Sequence, residues 1–344
     1  MKILLLAGLA LLAAVSAGVF YSHLNRGPSP VPAEIVAKYA AWKKVFGKLY
    51  ATPAENDHRL RIFNGQWQFV EESNNQYNEA MEQKGEKLSG PMFEMNGFGD
   101  LSDEEFKMRF TGAKAPEVEP SEPVIPAKPV KEAKNLGQSA YQIIVRQQGA
   151  CGSCWAHTAI ATLEKHYWDK TLQRLDFSHQ MLVDCDKGSL GCTGGWDHTA
   201  LNYVKVTGIA LASSYPYTGV TGYCRASSVQ RVNAQIANVA YETFYFTAAE
   251  ARVNQGKHVG SLVFATGKFR YLSSTDDVFD GATSGDGDCG SHTNHIVNFI
   301  EASGATFRIL NSWGTGWGFN GTKKIRACAA NVFYGASSYI SFAE

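Results

Sequence analysis

Apolar residues near the start of the chain recur at helical spacing over the segment 34–80. The clearest run lies between Glu55 and Met81, where apolar side chains stand three or four positions apart. Its apolar positions are Leu60, Phe63, Trp67 and Val70. Such a stripe predicts a long amphipathic helix with one buried face.

A shorter helix is predicted farther along the same region. Ser102 is followed three residues later by Glu105, the arrangement in which a Ser and a Glu side chain each bond a free backbone N–H at a helix start. The preceding residues, 95–101, are expected to form a short extended piece.

The second half of the chain changes from a helical pattern to a strand pattern. Residues Cys154 to Asp169 contain no Pro or Gly and predict a helix. Beyond about residue 205, apolar or alternating runs separated by Gly-rich turns predict strands. The expected strands are 236–240, 241–246, 260–265, 295–300, 307–310 and 339–342. We therefore expect an α+β protein whose helical subdomain precedes a β-rich one.

Residues 113–131 interrupt both patterns with prolines. They recur every three or four positions, at Pro116, Pro120, Pro123, Pro126 and Pro129. Proline fixes its own backbone and discourages helix before it, so an extended, exposed linker open to proteolytic nicking is expected. The linker divides a cysteine-free front from a cysteine-bearing back.

The first residues predict targeting, not fold. Lys2 is followed by an apolar run from Ile3 to Val15 and by small residues ending at Ala17. This pattern is typical of a secretory signal peptide, here residues 1–17, cleaved after Ala17. The alternative is a membrane anchor, because the apolar run to Phe20 approaches the length needed to span a bilayer. No later stretch could span a membrane.

The composition suits a globular protein. The 344 residues are 44% hydrophobic and 19% charged with formal net charge zero, which gives no electrostatic reason to expect a nucleic-acid partner.

Seven cysteines are present, all after residue 150. In an oxidising compartment an odd count leaves one free thiol beside three disulfides, or else an intermolecular bond.

The segment from Gln148 to Trp155 carries the strongest chemical signal. Within it, Cys151 and Cys154 stand three positions apart, and Cys154 opens the predicted helix. Free backbone N–H groups and the positive helix end favour a thiolate there, and a thiolate is the reactive nucleophile. A redox dithiol or half a zinc site is the alternative. A zinc site needs a second close pair of ligands, and none is evident, so no metal is expected.

A cysteine nucleophile requires a base, and the base requires a residue that orients it. His295 opens a predicted strand 141 residues after Cys154, and Asn311 follows another strand 157 residues after it. A hydrogen-bonded strand histidine is the simpler interpretation of His295 taken alone. His292 is a nearby rival.

Together these features resemble the papain family of cysteine proteases, over almost the whole chain. The resemblance implies a two-subdomain fold, with a helical left and a β-barrel-like right subdomain behind a helical propeptide. It also implies that Cys154 attacks the scissile carbonyl and His295 transfers the proton. Asn311 would orient the imidazole under the cover of Trp313, and Gln148 would donate to the oxyanion.

The same resemblance assigns substrate binding to Gly194, Gly195, Trp196 and Asn294. It suggests the disulfides Cys151–Cys192 and Cys185–Cys224, and subtraction then leaves Cys289 paired with Cys328 and Cys154 free. Two departures stand out. Asp197 follows the binding loop where an apolar residue is usual, and we expect it to favour a basic or polar substrate side chain. His157 replaces a Phe, and either perturbs the nucleophile or packs in the helix.

The front half resembles the family's inhibitory propeptide. Its helix motif is matched at Glu55, Arg59, Phe63 and Asn74, with Gln66 and Val70 as departures. A second motif is matched at Asn96, Phe98 and Asp100, with Glu94 where Gly is usual. The expected domains are a propeptide at 18–130, which would run backwards through the cleft, and a mature peptidase at 131–344.

The expected function is endopeptidase cleavage through a thioester acyl-enzyme, from a zymogen. An exopeptidase of the same family is one alternative, although no His-His occluding insertion is visible. A catalytically weak homologue acting as a binding protein is the other. The expected partners are peptide or protein substrates and the chain's own propeptide. We expect a monomer that needs no cofactor. We expect it to be lysosomal, vacuolar or secreted.

Overall fold

A computed structural model describes residues 30–113, 141–243, 246–263, 265, 267–281, 295–304, 306–326 and 336–341. The chain divides into two compact units, Met1–Asn64 and Gly65–Glu344. The expected signal peptide, nearly all of the proline-rich linker, Cys289, Cys328, Asn294 and His292 lie outside the described residues.

The first unit holds helix α1 (Ala33–Val45) and the first turns of helix α2 (Pro53–Lys84). The rings of Tyr39 and Trp42 each lie 5.2 Å from the ring of Phe63, which is fully buried. The helical pattern predicted over 34–80 is confirmed, with the run from Glu55 to Met81 lying in a helix of its own. Helix α1 stops before Gly47, whose φ of +61° favours glycine.

After α2, four described helices precede the first strand along the chain. They are α3 (Asp103–Phe110), α4 (Cys154–Thr171), α5 (His179–Cys185) and α6 (Asp197–Thr207). Single 3₁₀ turns lie at Gly191–Thr193 and Ala226–Ser228. Residues 154–167 of α4 are all buried, so this helix is the centre of one apolar core. The core includes Trp155, Leu163, Leu201 and Tyr215.

The β-rich part is a seven-stranded sheet. Its strands are β3 (Asn238–Thr243), β4 (Val259–Val263), β5 (Val278–Phe279), β6 (His295–Ser303), β7 (Thr306–Leu310), β8 (Thr322–Arg326) and β9 (Ala336–Ser341). They lie side by side in the order β3-β9-β4-β6-β7-β8-β5. Strands β1 (Ile209–Ala210) and β2 (Arg231–Val232) form a separate pair. Helices α7 (Phe246–Asn254) and α8 (Gly267–Arg270) complete the described elements.

Two element predictions are wrong in part, and some elements, β8 among them, were missed. Residues 97–100 form a turn, not an extended piece, because the side chain of Asn96 accepts from the N–H of Phe98 and bends the backbone. Segments 236–240 and 241–246 were expected as two strands, but they contain one strand followed by helix α7. Strand β8 was not predicted, since its Lys323 and Lys324 hide the alternation that its burial shows.

In the part of the chain that the structure describes, no helix combines the length and apolar character that crossing a bilayer requires. The same residues bring no three His, Cys, Asp or Glu together as metal ligands.

Candidate active site

Cys154 is the first residue of α4 and is completely buried. It is the free cysteine among the described residues. Beside it, Trp155 donates from its indole Nε1 to the carbonyl of Gly191 at 3.1 Å, which fixes the start of the helix against the neighbouring loop. The backbone of Ile296, on β6, acts to lower the pKa of the thiol, so the sulfur lies where the helix meets the sheet.

His295 opens β6, and its Nε2 lies 2.8 Å from Oδ1 of Asn311. An amide oxygen only accepts, so Nε2 carries the proton and Nδ1 presents its lone pair. Nδ1 is buried with no hydrogen-bond partner among the described residues. The ring of Trp313 lies 4.6 Å from the imidazole and covers it on one side. The structure therefore brings His295 and Asn311 together in the tautomer that can receive a proton at Nδ1.

Gln148 is fixed at every polar group. Its N–H donates to the carbonyl of Ser312 at 2.8 Å, and the Ser312 hydroxyl donates to its Oε1 at 2.6 Å. Its Nε2 donates to the carbonyl of Cys151 at 2.7 Å and to that of Phe110 at 3.2 Å. The side-chain amide therefore already holds a carbonyl oxygen of the chain's own front segment.

Two disulfides shape the loops around the cleft. Cys151 is bonded to Cys192 and Cys185 to Cys224, the pairings that the family resemblance suggested. The first links the residue before Gly152 to the loop that carries Gly194.

The residues Phe110–Ala113, which we call the cleft segment, lie along the glycine-rich loop. The N–H of Gly195 donates to the carbonyl of Gly112 at 3.0 Å, and Ala113 pairs with Gly195 in parallel. A Cβ at Gly112 would collide with the carbonyl of Gly152, and one at Gly194 with the carbonyl of Gly112. Only glycines permit this close approach of two backbones.

Burial changes the protonation of both proposed reactive groups. Burial raises the pKa of the Cys154 thiol to about 11, although backbone hydrogen bonds from Ile296 and Gly112 act against this shift. Burial also lowers the pKa of His295 to about 4. The charge of Asp197, itself buried, raises the thiol pKa further. The helix end predicted a thiolate, but in this covered state desolvation outweighs it and both groups are neutral.

Arg270 is a contact of the front segment around residues 96–106 that the sequence did not indicate. It is fully buried and donates to the carbonyls of Phe98 and Leu101, while its guanidinium lies 4.7 Å above the ring of Phe106. Asn96 returns a hydrogen bond from Nδ2 to the carbonyl of Arg270 at 2.7 Å. No local motif marks this arginine, because its partners stand about 170 residues earlier.

Comparison with known proteins agrees with this geometry. Residues 134–341 match the model of the papain family cysteine protease, and residues 39–106 match the cathepsin propeptide inhibitor domain. The chain belongs to the papain family. This papain-family cysteine peptidase carries its inhibitory propeptide in the same chain and is therefore a zymogen.

Relatives of this papain-family peptidase match it over most of their length. Papain of Carica papaya is 29% identical over 318 residues, covering 89% of this chain and 86% of papain. Cathepsin J of Rattus norvegicus is 30% identical over 325 residues, covering 90% and 92%. The structure of digestive procathepsin L 3 from Tenebrio molitor larval midgut superposes with a TM-score of 0.72 at 26% identity, covering 90% and 100%.

Proposed function

We propose that the mature protein is an endopeptidase that cleaves peptide bonds through a thioester acyl-enzyme. The observation that carries the proposal is the cleft segment itself. The segment starts at Phe110, the last residue of α3, whose carbonyl accepts from Gln148, and continues to Gly112, whose carbonyl accepts from the N–H of Gly195. The cleft that accepts this backbone would accept a substrate peptide by the same main-chain contacts.

The proposed reaction begins when the Cys154 proton passes to Nδ1 of His295 and the sulfur bonds to the substrate carbonyl carbon. The carbonyl electron pair moves to oxygen, where Nε2 of Gln148 and the N–H of Cys154 stabilise the negative charge. Collapse breaks the C–N bond, and the amine leaves with the proton from His295. Water then attacks the thioester with His295 as base, which releases the acid and restores the thiol.

Asn311 serves this reaction by orienting the imidazole. Its bond to Nε2 keeps the proton there, so that Nδ1 is always the atom facing the thiol proton. The ring of Trp313 excludes water from that bond. The same bond stabilises the imidazolium that forms after proton transfer.

The proposed precursor comprises a signal peptide at 1–17, a propeptide at 18–130 and a mature peptidase at 131–344. The signal would direct it to a lysosome or vacuole or out of the cell. Removal of the propeptide would withdraw Phe110 from Gln148 and Gly112 from Gly195, and so free the donors on which substrate depends.

The test of the mechanism uses the purified precursor. After exposure to mild acid, a thiol-directed epoxide should label the mature form, and a fluorogenic peptide should be cleaved. Both signals should vanish in Cys154→Ala. Continued cleavage by Cys154→Ala at the wild-type rate would reject the mechanism.

Endopeptidase and exopeptidase action are separated by a second substrate. An internally quenched peptide with both ends blocked should be cleaved within its sequence, with fragments identified by mass spectrometry. Cleavage only of peptides with a free end would show an exopeptidase and contradict the proposed endopeptidase.

A further inference from the structure

A buried aromatic cluster that includes two histidines lies directly behind the nucleophile. His157 stands on α4 one turn after Cys154, and its ring lies 4.5 Å from that of His179 and 5.0 Å, edge-on, from that of Tyr217. His157 is 6% exposed and His179 is 3% exposed. Apolar side chains could fill this space equally well, so the polar atoms of the cluster require an explanation.

The hydrogen bonds of the cluster run in one direction. The hydroxyl of Tyr217 lies 2.7 Å from the carbonyl of Gln148 and must donate to it, because a carbonyl only accepts. The hydroxyl of Ser153, 2.7 Å from the Tyr217 oxygen, is therefore the donor of that pair. Ser153 is thus joined through Tyr217 to the main chain of Gln148.

His157 extends this hydrogen-bond network along α4. Its Nδ1 lies 2.9 Å from the carbonyl of Ser153 and must be protonated there, again because the carbonyl only accepts. Burial lowers the pKa of His157 to about 3, so that the ring is neutral and keeps one fixed tautomer above mild acid. Ser153 is consequently held from both sides, by His157 through its carbonyl and by Tyr217 through its hydroxyl.

The residues that this network joins are neighbours of the reacting atoms. Ser153 immediately precedes Cys154, whose N–H is one proposed oxyanion donor, and Gln148 is the other. His157 also borders a cavity of about 20 Å³ whose wall includes Asn311 and Ser312. Of the proposed catalytic residues, Gln148 belongs to the network, Cys154 follows one of its members, and Asn311 lines the cavity that His157 borders.

We propose that His157 and Tyr217 are positioning residues for the reaction. They hold the two oxyanion donors, Nε2 of Gln148 and the N–H of Cys154, at a fixed separation. This inference rests on the proposed role of Gln148. Hydrogen bonds join Ser153, His157, Tyr217 and Gln148 in one continuous network, and connected networks of this kind are stiff.

The test compares two replacements of His157 in the full-length precursor. Phe keeps a ring but loses the donor, whereas Asn loses the ring but keeps an N–H at the position of Nδ1. His157→Phe should lower kcat about threefold to tenfold with KM unchanged, the effect of one lost hydrogen bond at the transition state, and His157→Asn should stay closer to the wild type. Rates are divided by the concentration of epoxide-titrated thiol, so misfolded protein does not count.

Packing alone predicts the opposite order, because Phe fills the cluster better than Asn. If His157→Phe equals or exceeds His157→Asn in kcat, the positioning role of His157 is overturned.

Tyr217→Phe tests the other end of the hydrogen-bond network. It removes a single oxygen atom, so its folding is not at risk. It should lower kcat about threefold to tenfold with KM unchanged. The matched control is Tyr223→Phe, since Tyr223 is 94% exposed.

A double-mutant cycle with Gln148→Ala separates this inference from the proposed function. If Tyr217 acts through Gln148, Tyr217→Phe should cause little further loss in the Gln148→Ala background. Full additivity would overturn the inference and leave the proposed function intact. Full activity of Gln148→Ala alone would instead remove the proposed oxyanion role of Gln148, and with it the basis of this inference.

Discussion

At the scale of single residues, the reactive pair is held in its unreactive protonation state. A thiol with a pKa of about 11 and an imidazole with a pKa of about 4 are both neutral from mild acid to mild alkali. Both shifts have the same first cause, which is the exclusion of water. Uncovering the pair would lower the thiol pKa and raise that of the imidazole, and so favour the ion pair.

The first prediction concerns alkylation of the precursor. Iodoacetamide should react with Cys154 slowly at pH 7 and faster as the pH rises toward 11, whereas the activated enzyme should react fast near neutrality. The measurement is the alkylation rate against pH, with Cys154→Ala as the background. Equal rates before and after activation at pH 7 would contradict it.

The second prediction concerns Gln148. Removal of one oxyanion donor generally lowers kcat about 10²-fold to 10³-fold, and Gln148→Ala should fall in that range with a much smaller change in KM. Steady-state kinetics on a fluorogenic peptide measure it. Gln148→Glu is the matched variant. It keeps the shape but replaces the donor by an acceptor, and should be no more active than Gln148→Ala.

At this scale the sequence indicated the reactive residues well and their environment poorly. Cys154, His295, Asn311 and Gln148 stand in local motifs, and the structure pairs His295 with Asn311. Arg270 and Tyr217 have no such motif, because each acts on residues far along the chain: Tyr217 on Gln148, 69 positions earlier. The direction of the thiol pKa shift also depends on the fold, since burial by a distant segment is not encoded at the helix end.

At the scale of elements, α3 determines where the cleft segment begins. Phe106 and Phe110 on this helix are buried, and the ring of Phe106 lies 5.1 Å from that of Trp313. The helix starts with a capping box, in which Ser102 accepts from the N–H of Glu105 and Glu105 accepts from that of Ser102. The sequence predicted this cap correctly.

The third prediction follows from this cap. Ser102→Ala should destabilise α3 by about 1 kcal/mol, the usual effect of losing a serine cap. The propeptide should then be released more readily, and the lag before peptide cleavage at mild acid should shorten. Ser102→Thr keeps the hydroxyl and should retain the wild-type lag. An unchanged lag in Ser102→Ala would show that α3 does not limit activation.

Other elements could not be derived from periodicity. Strand β8 could not be recognised from the sequence because its Lys323 is completely buried. The ammonium of Lys323 donates to the carbonyls of Ser273 and Thr275. A charged letter in the sequence does not reveal such an arrangement. By contrast, the stripe of α2 follows from local spacing alone, and its helix extends only two or three residues beyond the predicted ends.

At the scale of the whole molecule, buried histidines couple folding to pH. Burial lowers the pKa of His157 and of His258 to about 3 and that of His179 well below its ordinary value. In the unfolded chain each would titrate near 6.5. Between that value and the folded pKa, only the unfolded state binds the proton, so acid favours unfolding.

The fourth prediction is therefore a loss of stability as the pH falls from about 6.5 toward 4, with each such histidine contributing a slope of up to about 1.4 kcal/mol per pH unit. Urea unfolding of the Cys154→Ala precursor measures it without self-cleavage. His258→Asn, which keeps a donor toward the carbonyl of Ala161, should have a shallower slope. An identical slope would exclude His258 as a contributor.

The glycines of the cleft also constrain how this protein can change over generations. Gly152 and Gly194 lie within the match to the papain family and Gly112 lies in the cleft segment, and a side chain at any of the three would strike a neighbouring backbone. A substitution at Gly152 or Gly194 that displaces the cleft segment also obstructs the surface that a substrate would need, whereas one at Gly112 does not. Heritable variation in the strength of inhibition is thus directed to Gly112 and to contacts outside the cleft, such as those of Arg270.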